Sequence, residues 1–173
     1  MKEKTCYENY PFWIVILSNI VQFTVYGAGA FVIYQIGWIW LILYILYIAW
    51  LVIRLLRRSC VNCYYYGKVC AFGKGKLSSQ FFKKGDANKF TQDKIRWKDI
   101  IPDIMVSLIP IVAGIILLVT NFNWLLLSMV LALLLLTFIG NGLIRSSLAC
   151  KYCRQREIGC PAEQLFNRDK AKA

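Results

Sequence analysis

The chain contains no histidine. That absence excludes histidine-ligated haem, histidine ligands to zinc and an imidazole general base. Acidic residues are scarce too: nine Asp and Glu stand against 21 Lys and Arg, a formal net charge of +12. Two long stretches, residues 11–53 and 104–144, carry no charge at all. Neither holds a buried carboxylate, which disfavours a proton-coupled multidrug-type transporter. The G-x4-G-K-[ST] spacing of a phosphate-binding loop is missing as well. The glycine-rich "FGKGKL" at Phe72 to Leu77 has other spacing and follows no strand pattern. "DIIPD", Asp99 to Asp103, lacks the longer signature of phosphatidyl-transfer enzymes. It reads as acids at a helix N-terminus with Pro102 in the first turn.

What remains is apolar. Of 173 residues, 58% are hydrophobic, with a mean hydropathy of +0.51, which points to a membrane protein. A helix needs about 20 apolar residues to cross the hydrocarbon core. Each uncharged stretch is too long for one span and suits a helical hairpin. The expected spans are 12–33 and 38–56, turning around Tyr34 to Gly37, then 101–120 and 124–144, turning at "NFNW". Trp38 and Trp124 each begin a returning helix, where amphipathic rings sit at the interface. Gly27, Ala28, Gly29, Ala30, Gly140 and Gly142 are the small residues available for close helix approach.

The basic residues sort by segment. Two precede the first span, twelve lie between Arg54 and Lys98, and seven follow from Arg145. The hairpin turns carry none. By the positive-inside rule both termini and the central loop are cytoplasmic, in a plasma (inner) membrane. A rival reading takes residues 1–30 as a cleavable leader ending at Ala28 to Ala30. Glu3 and Glu8 weaken its basic region, and the second half carries an uncleaved hairpin of the same kind.

The cysteines give the chain its pattern. "CVNCYYYGKVC" (Cys60, Cys63, Cys70) and "CKYCRQREIGC" (Cys150, Cys153, Cys160) both read C-x2-C-x6-C. Each follows a hairpin and an Ile-Arg pair. Each precedes a similar tail, "QFFKKGD" at Gln80 to Asp86 and "QLFNRD" at Gln164 to Asp169. The expected fold is therefore all-α, with four transmembrane helices as two parallel hairpin repeats, 11–90 and 99–173. Repeats with an even number of spans keep one orientation and pack about a pseudo-two-fold axis along the membrane normal. Such an axis brings the two cysteine motifs together on the cytoplasmic side.

Six such thiols in a reducing compartment suggest metal rather than structural disulfides. Their spacing resembles the binuclear zinc-cluster domains of fungal transcription factors, in which six cysteines hold two zinc ions through two bridging thiolates. The resemblance covers about 22 residues, and here 79 residues separate the motifs. It implies similar coordination logic, with Cys60 and Cys150 bridging and Cys63, Cys70, Cys153 and Cys160 as terminal ligands; DNA recognition does not follow from it. Arg57, Arg58, Lys68, Lys151, Arg154 and Arg156 would offset the thiolate charge. Other options stay open. One zinc could use the two CxxC pairs, or each motif could hold an iron–sulfur cluster with an outside ligand. The thiols could also bind nothing, or be palmitoylated. Cys6 has no counterpart in the second half and reads as a bystander or an acylation site.

The basic loop "KLSSQFFKKGDANKF" sets Leu77, Phe81 and Phe82 among lysines, a composition that suits anionic lipid head groups or an acidic protein partner. No nucleic acid is expected. Three functions follow from these residues. The first is a non-enzymatic membrane module with a structural thiolate metal site. The second is a redox protein using iron–sulfur clusters or dithiols. The third is a protein that handles or senses a soft metal ion.

Overall fold

The computed structural model describes residues 6–86, 90 and 97–160. The tail at Gln164 to Asp169, likened to Gln80 to Asp86, lies outside them. Every regular element among the described residues is helical. These are α1 (Phe12–Tyr34), α2 (Trp38–Arg58), a 3-10 turn (Cys60–Asn62), α3 (Lys74–Phe81), α4 (Trp97–Thr120), α5 (Trp124–Ala149) and α6 (Arg154–Gly159). Four of them, α1, α2, α4 and α5, are long and apolar enough to cross a membrane. Large apolar side chains such as Phe23, Trp40, Leu46, Ile116 and Phe138 lie exposed along them. Water penalises such surface and lipid does not.

The helix ends follow local chemistry. At the second turn, Asn123 caps α5, its side-chain oxygen accepting from the Leu125 N–H at 3.0 Å. The last carbonyls of α2 also find donors: Leu55 from Ser59 N, Leu56 from the Ser78 hydroxyl and Arg58 from the Asn62 side chain. Two boundaries differ from expectation. Helix α4 starts at Trp97, so Asp99 does sit in the first turn but Pro102 lies within the helix. Helix α5 runs past Ile144 to Ala149, through two π-helical stretches, Leu136–Gly140 and Ile144–Ala149. Each π turn adds a residue to the hydrogen-bonded ring, as in Cys150 N to Arg145 O at 2.7 Å.

The chain divides into two compact units, and each draws on both halves of the sequence. The helical unit comprises Leu17–Val52 and Lys98–Ile144. Its core is Val25, Ala28, Val32, Ile111, Leu126, Val130 and Leu133, from α1, α4 and α5. Two glycines set how closely these helices approach. A Cβ on Gly114 would collide with Val130 and reach within 3.2 Å of Val32. A Cβ on Gly29 would collide with the Tyr44 hydroxyl and press on Pro110 at 3.2 Å. Of the small residues nominated from sequence, Gly29 and Ala28 serve this purpose. Gly140 would make ordinary contact with Val21, and nothing lies within 4 Å of a Cβ on Gly27 or Gly142. Gly114 carries no mark in the sequence that separates it from its apolar neighbours.

Helix α2 joins the unit through tyrosines. Pro110 has no N–H, so the Val106 carbonyl loses its usual donor four residues on. The Tyr44 hydroxyl donates to that carbonyl at 2.9 Å. One turn along, Tyr47 donates to the Pro102 carbonyl, also at 2.9 Å. At one end of this unit, residues of both hairpin turns, Gln35 and Asn121 among them, line a single cavity. The two turns therefore lie at the same end.

Candidate functional site

The cysteine unit comprises Met1–Ile16, Ile53–Trp97 and Arg145–Ala173. Its core is Tyr10, Ile14, Tyr65, Ala71 and Ala149, with Tyr7, Cys63, Tyr64, Cys70, Phe72 and Cys153 packed against it. Both motifs and the segment before α1 contribute. A leader cleaved near Ala30 would take Tyr7, Tyr10 and Ile14 with it.

The first motif folds as a series of turns. Gly67 and Gly73 adopt left-handed backbone at φ 76° and 69°, where a side chain is strained. Gly73 then opens α3, and Gly75 packs so tightly on the turn that a Cβ would collide with the Tyr65 carbonyl and stand 2.7 Å from that of Lys68. The glycines of "FGKGKL" thus serve turn geometry and packing. Gly85, in the tail after the motif, returns to it with a hydrogen bond to the Val61 carbonyl at 3.0 Å.

Direct bonds tie the first motif to the second. The Tyr64 N–H donates to the buried Gln155 side chain at 2.7 Å. The Tyr65 hydroxyl accepts from Arg154 N at 3.0 Å and donates to the Tyr7 carbonyl at 2.6 Å. The N-terminal segment runs between the motifs. Tyr7 pairs with Cys153 as an isolated parallel bridge and donates to the Tyr152 carbonyl at 3.1 Å. Tyr10 N donates to Val69 at 3.0 Å, Val69 N donates to the Asn9 side chain at 3.1 Å, and the Tyr10 hydroxyl donates to the Ala149 carbonyl. Cys6, taken from sequence for a bystander, belongs here also. Its thiol donates to Glu157 at 3.1 Å, and that bond to a carboxylate raises its pKa.

The thiols come together unequally. Cys63, Cys70 and Cys153 pack against the same buried cluster, and beyond burial the charges of Cys153, Cys70 and Cys160 all act to raise the Cys63 pKa. Burial is the main cause that pushes the Cys60 thiol up to about 12, with the charges of Cys70 and Cys63 of its own motif adding to it. Cys150 is exposed, with Cys153 in its reach. All seven cysteines are free of disulfides. Among the described residues, no three cysteine or carboxylate side chains converge as closely as a bound ion requires.

Backbone N–H groups do point at several of the sulfurs. Cys63 accepts a backbone hydrogen bond from Tyr65, and Cys153 accepts from Gln155 and Arg156. In both motifs the middle cysteine thus receives the N–H two residues on. Cys70 accepts from Gly75 N at 3.4 Å. N–H donors aimed at sulfur favour its charged form. Burial works against them: it pushes the Cys63 thiol up to about 11 and raises Cys153 as well, and neighbouring thiols add to the effect. Basic side chains lie over the unit's rings. Lys68 stands 4.4 Å above Tyr64 and Arg154 5.7 Å from the same ring, Lys151 lies over Tyr152, and Arg145 and Lys74 lie over Phe72. Of the six basic residues expected beside the thiols, Lys68 is half-buried and Arg57, Arg58, Lys151, Arg154 and Arg156 are exposed.

Comparison with protein-family models, with curated proteins and with solved structures finds no match for the chain.

Proposed function

We propose that the protein is a small membrane module whose cysteine unit is closed by one zinc ion on Cys63, Cys70, Cys153 and Cys160. The observation that carries this reading is that Cys63 and Cys70 of one motif and Cys153 of the other pack against one buried cluster, joined by the Tyr64–Gln155 and Arg154–Tyr65 hydrogen bonds. Four thiolates satisfy tetrahedral zinc, and the N–H donors to Cys63, Cys70 and Cys153 would hold their sulfurs as second-sphere partners. When bound, zinc would take these four sulfurs as thiolates, releasing their protons, and would cross-link the two motifs. The zinc-cluster resemblance implies a different arrangement, two ions bridged by Cys60 and Cys150, which predicts loss of metal in Cys150→Ser.

In this reading zinc is structural and the module's partner is anionic lipid. Helix α3 exposes Leu77 and Phe81, one helical turn apart, with Lys76, Lys83 and Lys84 exposed around them. Apolar anchors among lysines suit a leaflet rich in acidic head groups, at about 1 kcal/mol per basic residue. The same asymmetry of charge sets the termini and both cysteine motifs in the cytoplasm. Two hairpin turns at one end of the helical unit are consistent with that orientation.

The test is metal content across single serine variants of the full chain. Cys63→Ser and Cys153→Ser are expected to lose zinc, and Cys150→Ser to keep it. Full metal in Cys63→Ser contradicts the ligand set. For the lipid, replacing Lys76, Lys83 and Lys84 by Gln is expected to abolish enrichment of phosphatidylglycerol over phosphatidylcholine around the purified protein. Unchanged enrichment removes that part of the proposal.

A further inference from the structure

The helical unit holds a cavity of about 620 Å³ that the metal site and the basic face do not use. Phe31 and Gln35 line it from the first hairpin, and Asn121, Phe122, Asn123 and Trp124 from the second. Its volume falls within the roughly 300–1,000 Å³ of ordinary small-ligand sites. No residue lining it is charged.

The polar groups are amides. Gln35 and Asn121, one from each turn, are exposed, and among the described residues neither side chain makes a hydrogen bond. Each offers an N–H donor and a carbonyl acceptor. Asn123 is already committed through its oxygen to capping α5. The apolar surface is aromatic. Phe122 and Trp124 meet edge to face at 5.2 Å and stand 63% and 77% exposed, so their rings remain open to a ligand.

We propose that this cavity binds a neutral, hydroxyl-bearing head group, such as the sugar of a glycolipid. A hydroxyl is both donor and acceptor and matches both ends of an amide. The apolar face of a sugar ring packs on aromatic side chains. A phosphate or carboxylate would find no cationic side chain in the lining to pair with. A quinone offers acceptors alone and would leave the amide oxygens unmatched.

The test uses the full chain in a sugar-free detergent and native mass spectrometry, with monoglucosyl diacylglycerol, glucose and phosphatidylglycerol as probes. Monoglucosyl diacylglycerol is expected to bind saturably to wild type and at least about five-fold more weakly to the Gln35→Leu, Asn121→Leu double variant, the loss expected for one net hydrogen bond. Displacement of the lipid by free glucose supports a site that reads the sugar alone. Binding of the lipid without displacement by glucose supports a site that also needs the acyl chains. Equal binding of the glucosyl lipid by wild type and double variant overturns the proposal, as does phosphatidylglycerol competing as well as the glucosyl lipid. Both substituted side chains are exposed and unpartnered, so the fold should persist. Phe122→Ala provides a second reading, with weaker binding expected and unchanged binding counting against the site. The outcome is independent of zinc content and of the lysines on α3.

Discussion

In the helical unit, contact is made by apolar side chains at distances that two glycines permit, and the Tyr44 hydroxyl supplies the donor that Pro110 withholds from Val106. In the cysteine unit, turns with little regular structure are held by tyrosine hydroxyls, backbone bonds between distant segments, and thiols. The first unit can rely on lipid around it and on helices that satisfy their own backbone groups. The second has short helices and few core side chains: Tyr10, Ile14, Tyr65, Ala71 and Ala149. Small units of that kind commonly need a metal or disulfide staple. The contrast teaches where a metal would matter: in the unit that lacks a large core.

The contrast can be broken most severely at the thiols. Structural zinc contributes about 10 kcal/mol or more in small metal-folded domains. Cys153→Ser is therefore expected to expose the cysteine unit to limited proteolysis while leaving the helical unit protected. Digestion of both units at equal rates would show that they do not separate in stability. A smaller effect is expected at Gly114, whose Cβ has no room. Gly114→Ala should cost about 1–3 kcal/mol in detergent unfolding, as overpacking does, with metal content unchanged. Gly27→Ala, where the space is open, should cost nothing measurable.

Tyr44 sharpens the comparison further. Tyr44→Phe removes the donor that Val106 receives in place of the missing Pro110 N–H, and should cost about 1 kcal/mol. Pro110→Ala restores a backbone donor, so the cost of Tyr44→Phe should shrink in that background. An undiminished cost in the double-mutant cycle would show that the hydroxyl acts elsewhere. The smallest effect is expected at Glu8. Its 3.3 Å pair with Arg154 is exposed on both sides, and Glu8→Gln should change stability by less than about 1 kcal/mol.

The four long helices were legible because uncharged runs of that length have few other uses, and both turns fall where the residues change, at Tyr34 to Gly37 and at "NFNW". The partnership of the two cysteine motifs was legible from their spacing. How the turns of the two motifs stack was not, because spacing does not say which backbone and side-chain groups meet, such as Tyr64 N with Gln155. The N-terminal segment was missed because no second copy of it exists. One signal was present: tyrosines at 7, 10, 64–66 and 152 crowd the segments outside the spans, where lipid gives no reason for them. Gly114 and the π turns of α5 were hidden for another reason. Inside an apolar run, composition carries no information about which residue touches which.

Elemental analysis of the purified full chain, read with its visible absorbance, bears most directly on the metal site. The expected result is a colourless protein with about one zinc per chain, lost on Cys63→Ser. A protein without stoichiometric metal, or one absorbing near roughly 400 nm as iron–sulfur clusters do, would contradict it.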